Sequence, residues 1–73
     1  MINIVKYGNR KLYAKNFSKY ITLLDLVNLV KANNKVQILN NTTKEDITTV
    51  EFKRALMHVE MSEEQLRNLI KNN

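Results

Sequence analysis

The chain has 73 residues with no cysteine, no proline, one glycine and one histidine, which excludes disulfide frameworks, glycine-rich phosphate loops and multi-histidine metal centres. Its 44% hydrophobic and 26% charged content is that of one small globular domain, and no apolar run exceeds three residues, so no transmembrane helix or signal-peptide core is present. The net charge of +5 sits wholly in residues 1–20, which carry Lys6, Arg10, Lys11, Lys15 and Lys19 and no acid; beyond them seven cations balance seven acids. That asymmetry points to an anionic partner.

In chain order, "MINIVKY" is rich in Ile and Val with a weak alternation and predicts a short strand. "YGNR" predicts a tight turn in which Gly8 or Asn9 takes positive φ. "KLYA" and "KYIT" predict two strands joined by the four-residue loop "KNFS". With a period of two, Leu12 faces away from Lys11 and Tyr13, and Ile21 away from Tyr20 and Thr22. One face of this ribbon is therefore aliphatic, and the other carries tyrosines and cations.

Thr22 and Asp25 form a capping-box pattern, with Asp in the place of Glu, that opens "LLDLVNLVKANN". Leu23, Leu26, Val27 and Val30 recur at helical spacing, and Leu24 and Leu29 widen the stripe. The helix should pack on the sheet through the first four and end at Asn33-Asn34 in a left-handed cap. "KVQIL" predicts a further strand, "NNTTKED" a polar turn, and Thr48-Thr49-Val50-Glu51 a full capping box for a helix carrying Val50, Ala55, Leu56 and Val59. Ser62-Glu63-Glu64-Gln65 predicts a third helix with Leu66, Leu69 and Ile70.

The expected fold is α+β: a small N-terminal β-hairpin or three-stranded sheet, an amphipathic helix packed on it, and C-terminal helices for self-association. A core of this size supplies only ~3–5 kcal/mol, and with disulfides and metals excluded, oligomerisation is the natural supplement. The expected division is a domain at 1–60 and a C-terminal helical extension at 61–73, in a cytoplasmic homodimer or higher homo-oligomer without a membrane association.

Catalytic chemistry is hard to assemble. His58 has Glu60 two residues on but no second imidazole or thiol, and a surface or subunit-contact role is expected. Glu45-Asp46 precedes a helix start and is expected to complement its positive end rather than act as an acid/base pair. No enzyme, no cofactor and no metal are expected.

The opening segment is richer. Lysine and arginine neutralise phosphates; arginine also reaches guanine O6/N7, and asparagine adenine N6/N7. Asn9-Arg10-Lys11 gathers all three capabilities on one turn, and tyrosine hydroxyls bond phosphates. A bland reading stands beside this: lysines flanking short strands blunt edges against aggregation, and strand tyrosines are often half-buried packing.

"KYGNRKLYAKNFSKYITLLDLVNLV" followed by "KVQILNNTTKEDIT" resembles the N-terminal DNA-binding domain of the polyhydroxyalkanoate (PHA) synthesis regulators, bacterial repressors of phasin and granule genes. The match takes in Lys6, Tyr7, Asn9, Arg10, Lys11, Leu12, Tyr13, Tyr20, Ile21, Thr22, Leu23, Asp25 and Leu26, then Val36 and Glu45-Asp46-Ile47-Thr48, covering about positions 4 to 59. Gly8 stands where the family usually has proline, which loosens the turn. Ala14 replaces an acid and raises the positive charge, and Lys44 replaces a turn glycine, so that turn must find another geometry. Typical members continue into helical segments associated with granule and phasin binding, whereas here one more helix follows.

The resemblance implies a sequence-specific, double-stranded-DNA-binding transcriptional regulator, expected to be a repressor, with a PHA granule or phasin link beyond it. Asn9, Arg10 and Lys11 would read bases; Lys6, Lys15 and Lys19 would hold phosphates; Tyr7, Tyr13 and Tyr20 would either join them or belong to the core. The alternative is a small interaction module whose basic ribbon binds an acidic partner or a granule surface.

Overall fold

The computed structural model describes the backbone of residues 1–71 and the side chains of residues 1–59. The first strand, β1 (Ile2–Lys6), turns into β2 (Leu12–Ala14), and a single 3-10 turn at Lys15–Phe17 leads to β3 (Lys19–Ile21). Helix α1 (Leu23–Lys31) then carries the chain across to β4 (Val36–Asn40), and α2 (Thr48–Lys71) follows.

The sheet is four-stranded and mixed, in the order β3-β2-β1-β4. β1 pairs antiparallel with β2 and β2 with β3, while β4 lies parallel to β1 with Ile4 opposite Ile38. The expected three strands are thus joined by a fourth, which makes β1 central. Parallel pairing needs a long crossover, and α1 supplies it.

One face of the sheet is the core. Ile2, Ile4, Leu12, Ala14, Ile21 and Ile38 are buried there against Leu26 and Val27 of α1 and Ala55 of α2. Each large aliphatic side chain so buried contributes ~1.5–3 kcal/mol of transfer free energy. Leu23 and Leu29 pack at the margin, but Leu24 is exposed. The stripe on α1 is therefore widened by Leu29 and not by Leu24.

Local capping follows side-chain chemistry closely at α1. Thr22 Oγ1 accepts the Asp25 N–H at 3.1 Å, and the Asp25 carboxylate accepts the Thr22 N–H at 2.9 Å, which completes the expected box. At the other end Asn33 adopts φ 67°, with its N–H on Val30 O at 3.0 Å and the Asn34 N–H on Leu29 O at 3.2 Å. This Schellman closure satisfies two orphan carbonyls.

Several expectations are corrected. The positive φ of the first turn belongs to Arg10 (66°), not to Gly8 or Asn9. Lys44 adopts the left-handed conformation itself, at φ 64°, so the turn does not need another geometry to do without glycine.

The Thr48/Glu51 capping box does not form. Thr48 Oγ1 accepts the Ile38 N–H of β4 at 2.8 Å and donates to Asp46, while the Glu51 side chain turns inward to Lys6. Asp46 caps α2 instead, accepting the Thr48 N–H at 3.0 Å, in keeping with the role expected of the acidic pair. Val50 points out and Glu51 in, whereas Ala55, Leu56 and Val59 of the expected stripe do pack on the core. Finally, α2 is one helix from Thr48 to Lys71, where the sequence placed two. Leu66, Leu69 and Ile70, the expected self-association positions, lie outside the described side chains.

Candidate nucleic-acid interface

The β1–β2 connection is a three-residue hairpin loop built on a type I turn. The Arg10 N–H reaches Tyr7 O at 3.0 Å, and neither central residue, Gly8 nor Asn9, has positive φ. Arg10 then takes the left-handed position that lets β2 rejoin the ladder, a place usually held by glycine. The Tyr7 N–H closes the loop on Lys11 O at 3.0 Å, and Asn9 Oδ1 accepts the Lys11 N–H at 3.2 Å. Gly8, Asn9, Arg10 and Lys11 are all exposed, and a methyl at Gly8 would meet nothing within 4 Å. The tip is thus an open protrusion with a fixed backbone.

Beside the tip lies an aromatic cluster on the sheet face opposite the core. Cross-strand register puts Tyr13 against Val5 on one side and Tyr20 on the other. The Tyr13 and Tyr20 rings meet edge-on at 5.2 Å, and Tyr7 meets Tyr20 at 6.3 Å. Lys11 Nζ sits 5.5 Å from the Tyr20 ring centroid, within range of a cation–π attraction. Tyr7 and Tyr13 are half-buried, and Tyr20 is 56% exposed. None of the three is in the core cluster. Instead they cover Val5 and give Lys11 a stiff base.

The nine residues singled out in the sequence therefore divide. Tyr7, Asn9, Arg10, Lys11, Tyr13 and Tyr20 come together around the tip. Lys15 and Lys19 are exposed at the opposite end of the β2–β3 hairpin, where Lys19 pairs in register with Ala14. Lys15 is four residue steps from Lys11, about 13 Å at ~3.3 Å per step.

Lys6 is placed differently again. It lies on the core side, opposite Leu12, and its ammonium is ion-paired with Glu51, the two side chains being 18% and 4% exposed. Arg54 approaches the same carboxylate at 3.7 Å. This link ties the base of the hairpin to the first turn of α2. Sequence reasoning missed it because 45 residues separate the partners and no local pattern marks them.

Asn16 was missed for the same reason. Its side chain accepts the Asn3 N–H at 2.7 Å and donates to Met1 O at 3.3 Å, pinning the 3-10 turn beside β1.

The local electrostatics are those of a cationic ribbon with capped acids behind it. Asp25 titrates below the usual aspartate range because it accepts the Thr22 N–H and shares a bond with the Thr22 hydroxyl, with Lys19 adding attraction. Asp46 is lowered by the Thr48 hydroxyl and then by the Thr48 N–H. Among the described residues no group of His, Cys, Asp or Glu is placed to hold a metal ion. No helix among them is long and apolar enough to cross a membrane.

Comparison with known proteins supplies the family. A family model described as the PHB/PHA accumulation regulator DNA-binding domain matches residues 3–71. An uncharacterised protein of Allochromatium vinosum is 42% identical over 45 residues, covering 62% of this chain and 29% of that protein. An uncharacterised protein in the phbA 5' region of Thiocystis violacea is likewise 42% identical over 45 residues, covering 62% of this chain and 33% of its own length. The match thus spans about a third of these curated relatives. No solved structure matches the chain.

Proposed function

Because the chain belongs to the family of PHB/PHA accumulation regulator DNA-binding domains, we propose that it is a sequence-reading repressor domain whose β1–β2 hairpin tip enters the DNA major groove. The family is one of DNA-binding regulators and not of enzymes. The observation that carries the groove-entry reading is the hairpin: Asn9, Arg10 and Lys11 are exposed on a loop with a closed backbone, in a segment without a single acid.

The spacing supports it. By strand rise Lys15 lies about 13 Å from Lys11 and Lys19, in register with Ala14, about 10 Å, comparable to the ~12 Å width of the major groove. With the tip between the strands, both lysines meet phosphates along the groove's edge. The tyrosine hydroxyls flank the same approach. Lys6 does not touch DNA in this reading; bound to Glu51, it holds the hairpin at a fixed angle to α2.

A homodimer presents two such tips to a roughly palindromic site, with assembly through the C-terminal half of α2. The genes controlled are those of PHA accumulation, and the protein works in the cytoplasm.

The test is a titration against duplex from the chain's own promoter and against scrambled duplex, each at two salt concentrations. The expected result is a promoter preference that persists at the higher salt, lost in Arg10→Ala without loss of fold. Equal binding to both duplexes, erased by salt, would overturn the reading and favour an acidic protein or granule partner. So would an Arg10→Ala variant that keeps the preference.

A further inference from the structure

The side chains of the hairpin loop are not equally available to bases. Asn9 has one acceptor, Oδ1, and it is turned into the loop, where it accepts the Lys11 N–H at 3.2 Å. This bond helps hold Lys11 at the start of β2 while Arg10 sits at φ 66°. The donors on these side chains are the Asn9 amide nitrogen, the Arg10 guanidinium and the Lys11 ammonium, the last lying 5.5 Å from the Tyr20 ring centroid.

Reading adenine in the major groove takes a donor for N7 and an acceptor for the N6 amino group at once; reading guanine takes two donors, for N7 and O6. With the one acceptor atom of these side chains turned into the loop, the set meets the second requirement and not the first. Among the described residues, Arg10 makes no ion pair or ring contact, so its planar fork is uncommitted.

We propose that this hairpin reads guanine through Arg10, and that Asn9 is a positioning residue which shapes the loop and does not read adenine. The inference rests on the DNA-reading function above and adds which base edge the tip recognises.

The test begins with selection of duplexes from a random pool by the intact chain. The enriched duplex is then resynthesised with 7-deazaguanine or with 7-deazaadenine, each lacking the N7 acceptor of its base. The expected result is an affinity loss of roughly five- to a hundredfold with 7-deazaguanine and a change within about twofold with 7-deazaadenine. In Arg10→Gly the sensitivity to 7-deazaguanine should vanish. A loss confined to 7-deazaadenine, losses with both analogues, or indifference to both would each overturn the proposal while leaving DNA reading intact. If no sequence is enriched, the DNA-reading function fails and the proposal with it.

Discussion

Arg10→Gly separates what the loop costs the fold from what it provides for binding. Arg10 occupies left-handed backbone space at φ 66°, which costs an L-residue with a Cβ roughly 1–2 kcal/mol and glycine little. Glycine gives back about 0.5–1 kcal/mol through the greater freedom of the unfolded chain. With the guanidinium making no intramolecular ion pair or ring contact among the described residues, the net expectation is a stabilisation of about 0.5–1 kcal/mol. For a domain of this size that raises the midpoint of thermal unfolding by about 2–8 °C. Circular dichroism melts of both proteins should be run at one protein concentration, because self-association would otherwise shift the midpoint. The same sample should have lost its promoter preference. A lower midpoint than the parent chain would refute the reasoning, since it would mean that the Arg10 side chain stabilises the fold rather than straining it.

Glu51→Ala should cost about 2–4 kcal/mol in urea unfolding, below the 3–5 kcal/mol of a fully buried pair because Lys6 keeps some access to water. The double change Lys6→Met with Glu51→Leu should recover most of that loss. Gly8→Pro should stabilise by about 0.4–1 kcal/mol, because Gly8 occupies the first central position of a type I turn and its N–H has no partner among the described residues. An unchanged or lowered unfolding midpoint would count against the turn assignment. Lys15→Ala should weaken binding to promoter and random duplex alike, and reduce the slope of log affinity against log salt by about 0.9. The lowered pKa values of Asp25 and Asp46 add stability that is complete above the ordinary aspartate pKa and is lost as pH falls through the folded values. Below about pH 4, therefore, Asp25→Asn with Asp46→Asn should lose less of its urea midpoint than the parent chain does.

What the residues disclosed in advance was whatever is decided within four or five positions. Thr22 with Asp25 announces the start of α1, and Asn33 its end, because both signals act through neighbouring main-chain groups. The tyrosine face of the β2–β3 hairpin followed from a period of two. The parallel seat of β4 beside β1 did not, since alternation gives the faces of a strand and not its neighbours. Thr48 and Glu51 misled because each had a stronger partner elsewhere: the Ile38 N–H and Asp46 for the hydroxyl, Lys6 for the carboxylate. At the tip, residue type favoured Gly8 or Asn9 for positive φ. A three-residue loop, however, puts that requirement on its last member, so Arg10 bears it. The charge of the interface was plain from the first twenty residues; the withdrawal of Lys6 from it was not.

The seating of β1 between an early and a late neighbour also bears on how the molecule is made. β1, β2 and β3 are contiguous in sequence and leave the ribosome together, whereas the other side of β1 stays bare until Val36–Asn40 arrives. Glu51 and Ala55, which fix the hairpin's base and close the core, come later still. A nascent or proteolysed piece ending before α2 would hold the β1–β2 loop without the Lys6–Glu51 tie that orients it, and its core face would keep only the cover of α1. The stretch that supplies the core and the hairpin's tie therefore runs from the first strand through Val59.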